Sequence, residues 1–252
     1  MTPNLQFPQA HHHHHKSVTE QYFTQTVMDP SELKPILRGQ FHRVAFFAYL
    51  FFSIYLLSSA HSGLPRISLA LYLITVVNMY GISSILHITH WKTSEIESRV
   101  QRVDHASIFI LIAGTYTPLC LNCLPRSESW PTFMLVAAWI IAIAGVLKCL
   151  AWHNTRKVFN VTFYFISGLT ILPFAPKLVQ SISWTNIVFC AAGGILYLAG
   201  GTIFGIEYPD PKPTTFGFHE IFHVLTIAAN ICFMIPICSC ILKWESFAHI
   251  LF

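Results

Sequence analysis

Apolar residues run along this chain in stretches of about 20 residues separated by short polar breaks, not at the three-to-four-residue interval of a helix with one wet face. Reading run by run gives seven candidate membrane spans, near residues 43–61, 66–88, 105–124, 131–151, 158–176, 185–206 and 217–242. The expected fold is all-α, a seven-transmembrane helical bundle. One membrane domain would cover residues 42–243, after a polar N-terminal segment at 1–41 and before a short tail at 244–252. The fifth run is the least regular, with Pro173 and Pro176 near its end. Membrane helices tolerate proline where neighbours satisfy the freed carbonyls. Trp91, Trp130, Trp152, Trp184 and Trp244 fall at or near run ends, where an interfacial aromatic belt would place them.

Composition agrees with a multi-pass integral membrane protein: 54% of the residues are hydrophobic and only 10% charged. The net charge of +4 comes from Lys and Arg dispersed through short loops, without a basic block, so no nucleic-acid partner is expected. Their distribution sets an orientation. Eleven fall on the N-terminal segment and after spans two, four and six, and four fall on the other side (Arg66, Arg126, Lys177 and Lys243). The positive-inside rule then puts the N-terminus in the cytoplasm and the C-terminus outside. The first 41 residues lack an apolar stretch ahead of a small-residue cleavage site, so the first span is expected to act as the insertion signal. Asn160-Val161-Thr162 matches a glycosylation sequon but would lie at the cytoplasmic end of span five, and is expected to be unmodified. The run His11 to His15 sits ten residues in, fits an expression tag poorly, and is assigned no role.

Seven cysteines, mostly inside apolar runs, do not suggest a secreted-type disulfide framework. Cys120 and Cys123 nevertheless end one span at the depth where Cys238 and Cys240 end another, which leaves room for a bridge. In span six, Gly193, Gly194, Gly200, Gly201 and Gly205 permit close helix approach, with Gly201 and Gly205 in small-x-x-x-small spacing. Packing within the bundle is the expected use; a homo-oligomer through these glycines is the alternative.

Ionisable side chains inside spans are costly, and each calls for a partner or a cavity. Ser83 and His87 lie four apart on the last turns of span two, Asp104 opens span three, and His219 and His223 lie four apart in the first turns of span seven. All five sit at one depth in the expected topology. Three neutral imidazoles with one open position suit zinc, and Asp104 and Ser83 are placed to hold its water or orient a ring. Such a carboxylate beside a metal is also what hydrolysis requires. His90 competes with His87 as the ligand on span two. His42, His61, His90, His105 and His153 read singly as interfacial or helix-packing residues. A second motif overlaps the first: His219-Glu220-Ile221-Phe222-His223 is literally H-E-x-x-H, the zinc-protease signature with Glu as general base. No later Asp or His lies inside a span as the usual third ligand of that motif.

Taken together, Ser83-x3-His87, Asp104 seventeen residues on, Asp104-His105-Ala106-Ser107-Ile108 continuing through Ile112-Ala113-Gly114-Thr115-Tyr116-Thr117-Pro118, and Phe216-Gly217-Phe218-His219-Glu220-Ile221-Phe222-His223 resemble the haemolysin III and progestin/adipoQ receptor family. The resemblance runs from about Leu37-Arg38-Gly39 to the end of span seven. It implies a seven-helix bundle with the N-terminus inside, zinc held by His87, His219 and His223, and Ser83 and Asp104 beside it. It favours His87 over His90. Members of the family can carry Gln where this chain has Glu220, which weakens the protease reading. Leu86 departs from the aromatic that often precedes the histidine, and the short N-terminal region points to the haemolysin III-like branch. Receptors, proposed channel-forming cytolysins and, through similarity to alkaline ceramidases, lipid amide hydrolases all fall within reach of the family name. The expected function is a zinc-dependent hydrolase of a membrane lipid with a ceramide-type amide, or a receptor that keeps the site for a lipid-like ligand. The alternative is a receptor or channel-forming cytolysin in which zinc is purely structural. Pore formation has no support in the spans themselves, because none reads as a continuous polar stripe.

Overall fold

A computed structural model describes residues 35–152 and 157–242. The His11 to His15 run, the polar segment up to Lys34, His153, Arg156, Lys243, Trp244 and the rest of the tail lie outside the described residues. Among the described residues, seven helices are long and apolar enough to cross a membrane: Gln40–Ser59, Leu64–Ile88, Ser94–Cys123, Trp130–Ala151, Lys157–Ser181, Trp184–Ile206 and Phe218–Ile241, spans one to seven below. The protein is an all-helical, multi-pass integral membrane protein. The outward faces carry the side chains that lipid accepts, such as Phe51, Ile54, Ile74, Phe133, Ile140 and Ile195, all exposed.

Two spans differ from the hydropathy reading. Span three begins at Ser94, well before 105, so Asp104 lies ten residues inside the helix and does not open it. Its polar prefix folds for reasons hydropathy does not register. The Thr93 side chain accepts from the Ile96 N–H, Glu95 and Glu97 sit at the positive end of the helix dipole, and Arg99 pairs with Glu95 at 2.5 Å. Span five is broken into an α-helix (Lys157–Gly168), a 3-10 stretch (Leu169–Phe174) and a short α-helix (Ala175–Ser181). Pro173 lies inside the 3-10 stretch, where it withholds an N–H from the ladder, and Pro176 stands in the first turn of the last segment, where a missing N–H costs nothing.

Span packing is sequential (one on two, two on three, three on four, six on seven), and span seven also returns against spans one and two. Close approach depends on glycine. A Cβ on Gly114 of span three would stand 2.3 Å from the Thr75 hydroxyl of span two, and one on Gly193 of span six 2.8 Å from the Phe233 ring of span seven. Gly201 and Gly205 face Phe165 and Val161 of span five, while Gly194 faces open space. Span two also carries a stripe that the run-by-run reading missed. Ser68, Tyr72, Thr75, Tyr80 and Ser83 are all buried, and Tyr72 and Tyr80 engage Asn230 of span seven (2.6 and 3.1 Å). That face is filled by protein, as intramembrane polar groups require.

Candidate metal centre

The site starts from a glycine. Gly39 has φ of +77° and a Cβ there would lie 2.7 Å from the His87 Cβ, so only glycine allows span one to begin against the end of span two. Just before it, Ile36 and Leu37 donate backbone hydrogen bonds to Thr214 and Thr215, tying this segment to the loop that leads into span seven. Arg38 is thereby set over the first turn of span seven. Its Nε donates to Glu220 Oε1 at 2.5 Å, and the other Glu220 oxygen accepts from the Gly217 N–H at 2.8 Å. Glu220 is wholly buried and its carboxylate is occupied at the helix N-terminus, where negative charge is favourable. It closes and orients the turn. A general base of the H-E-x-x-H kind would need that carboxylate on the histidine face.

That turn presents His219 and His223 to His87. One ligand atom from each of the three imidazoles lies within 4.8 Å of the others, close enough for the three to hold a metal ion. His219 Nε2 and His87 Nε2 are 3.1 Å apart. Two ring nitrogens so close repel through their lone pairs unless a proton or a cation lies between them; two ligands of tetrahedral zinc at about 2.0–2.1 Å would stand slightly farther apart. A second observation bears on the fit: His223 is 1% exposed, and its Nδ1 is buried with no hydrogen-bond partner. Buried polar atoms are nearly always satisfied, so an unmet ring nitrogen beside two other imidazoles fits a cation-binding role. The donor set is all nitrogen, which suits zinc among the common biological metals.

Asp104 and Ser83 are outside the three-ligand group and join it through a chain of side chains. Asp104 is 8% exposed and hydrogen-bonded to Ser83, whose hydroxyl also meets His42 Nδ1 at 2.8 Å. His42 continues the chain: its Nε2 meets Thr226 Oγ1 at 3.2 Å, and its ring stacks on His223, with centroids 3.7 Å apart. His90 is exposed beyond the end of span two, so the structure brings His87 and not His90 to the cluster. His42, in the first turn of span one three residues after Gly39, is the packing residue that its sequence suggested, but its place against His223 was not legible. It lacked an i,i+4 partner, which is the signal that exposed the other three. Arg38 and the tether on Glu220 were missed as well, although the three-residue spacing of Gly217 and Glu220 is that of a capped helix start.

Residues 31–234 match the family model described as Haemolysin-III related. The chain belongs to the haemolysin-III related family. It is 30% identical over 182 residues to a Hemolysin-3 homolog of Bacillus subtilis, covering 72% of this chain and 80% of that protein. Hemolysin-3 of Bacillus cereus is 28% identical over 138 residues, covering 55% of this chain and 61% of the relative. The human monocyte to macrophage differentiation factor is 28% identical over 169 residues, 65% of this chain and 66% of the relative. The matched stretch of the haemolysin-III related model contains every residue of the site just described, from Arg38 to Thr226.

Proposed function

We propose that this haemolysin-III related protein is a zinc-dependent hydrolase acting on a membrane lipid with a ceramide-type amide, with its site near the cytoplasmic face. The observation that carries the reading is the convergence of three imidazoles, one with an unmet buried nitrogen, linked through His42 and Ser83 to the buried Asp104 carboxylate. His87, His219 and His223 hold the metal. Bound there, zinc would act as a Lewis acid toward the amide carbonyl and make water a nucleophile near neutral pH. Asp104 takes the proton of the attacking water as general base. Ser83 fixes the Asp104 carboxylate, and His42, clamped between Ser83 and Thr226, fixes Ser83. Arg38 and Glu220 hold the first turn of span seven so that both its histidines keep one direction. The orientation belongs to the same reading: the Lys and Arg distribution puts this end of the bundle in the cytoplasm.

The test is hydrolysis of a short-chain ceramide by purified protein in lipid nanodiscs, wild type against Asp104→Asn, with zinc content measured on the same samples. The reading expects amide cleavage by wild type and a loss on the order of 10²–10⁴-fold in the variant with zinc retained. Zinc bound equally in both proteins with no cleavage in either would discard the hydrolase. It would favour the second reading, a receptor with structural zinc, for which the depth of burial of His223 and its stacking on His42 speak.

A further inference from the structure

At the end of the bundle opposite the histidines, thiols gather. Cys240 lies in the last turn of span seven, about 25 Å along the helix axis from His223 at 1.5 Å per residue. Cys123 ends span three in a π-helical turn, Leu119–Cys123. Cys123 and Cys240 reach toward the same carbonyl turn of span seven, Pro236 to Cys240. Cys123 Sγ donates to the Pro236 carbonyl at 3.6 Å, one turn before Cys240, and Ser239 Oγ stands 3.8 Å from Cys240 Sγ. Ser239 Oγ donates to that same Pro236 carbonyl at 2.8 Å, so both thiols border one small polar group, on segments held by other interactions. The His61 N–H donates to the Ile241 carbonyl at 3.1 Å, and Ala60 bridges Leu242, so the end of span seven is pinned to the end of span one. Both thiols are half-buried, whereas the neighbouring Cys120 and Cys238 are buried.

We propose that Cys123 and Cys240, free thiols in this structure, are the site of an intramolecular disulfide that staples the far ends of spans three and seven. These are the two spans that carry Asp104 and the His219/His223 pair. Closure brings the two sulfurs to an S–S length of about 2.05 Å. The oxidant is a small-molecule or carrier disulfide. The thiolate of Cys240 attacks one of its sulfurs and releases one thiol; Cys123 then attacks the mixed disulfide at the Cys240 sulfur and releases the second. Two protein thiols are oxidised and one external disulfide is reduced to two thiols. The Lys and Arg distribution assigns this end of the bundle to the outside, where disulfides persist.

The full-length chain in detergent is incubated with oxidised glutathione, excess thiol is blocked by alkylation, and the protein is mapped by mass spectrometry without reduction. The expected product is a Cys123–Cys240 linked peptide, with Cys120, Cys149, Cys190, Cys232 and Cys238 alkylated and the link lost on treatment with dithiothreitol. Cys123→Ser and Cys240→Ser each abolish the link and Cys120→Ser keeps it. Oxidation raises the thermal midpoint of wild type by about 5 °C or more and leaves both serine variants unmoved. Seven alkylated thiols after oxidation, a link between Cys190 and Cys240, or a midpoint shift that survives in Cys240→Ser would each overturn the proposal. Because the readout is a cross-link, it stands or falls independently of the metal and the hydrolysis.

Discussion

Spans two and three and spans five and six have similar length and apolarity and very different lives. In its most hydrophobic stretch span three has 67% of its residues buried and span two 56%, against 11% for spans five and six. The inner spans carry the polar groups, Ser83, His87, Asp104 and the tyrosines that meet Asn230, and every one of these has protein around it. The outer spans turn most of their surface to lipid, and span six touches span seven through small residues such as Gly193 and Gly200. In a bilayer, apolar contact between helices gains little over contact with lipid. What separates inner from outer is therefore the polar network at the inner helices' meeting point, which lipid cannot replace.

If the imidazole cluster is the keystone of the inner half, breaking it has the largest effect. His223→Ala is expected to lose the metal and, with zinc at about 1,000 times its dissociation constant, about 4 kcal/mol of stability, read as a thermal midpoint that no longer responds to added zinc. Steric overpacking ranks next. Gly114→Leu drives a side chain into Thr75 and should cost about 3 kcal/mol or more, while Gly194→Leu, with nothing within 4 Å, should change stability by less than about 0.5 kcal/mol. Equal effects of the two in detergent melts would erase the division between inner and outer halves. Ion pairs sharpen it further. Glu220→Gln, which leaves Arg38 beside a neutral amide in a buried turn, should cost about 1–3 kcal/mol and reduce metal retention through the displaced histidines. Arg99→Ala removes an exposed i,i+4 pair, both partners more than two thirds exposed, and should cost no more than about 0.5 kcal/mol.

Hydropathy alone located all seven spans, because the constraint that makes a span legible, a run of about 20 apolar residues, is local. The exceptions were local too, but of another kind. The start of span three depends on the Thr93 cap and charged pairs that a lipid scale counts against a helix, and the break in span five depends on Pro173. The imidazole cluster was legible where its members come in pairs at helical spacing, as with His219 and His223. His42 and Arg38 were not, since their partners Ser83, Thr226 and Glu220 lie 41 to 184 residues away and no spacing within span one announces them. The role of Glu220 shows how a literal motif can mislead. The same residue that completes H-E-x-x-H is held by Arg38 and the Gly217 N–H.

The measurement that tests the central claim most directly is elemental analysis of the purified protein, comparing wild type with His87→Ala, His219→Ala and the exposed control His90→Ala. The account predicts close to one zinc per chain in wild type and in His90→Ala, and loss of zinc in both other variants while each still elutes as a folded protein. Zinc that persists in His87→Ala and His219→Ala, or is absent from a folded wild type after growth and purification with added zinc, would contradict it.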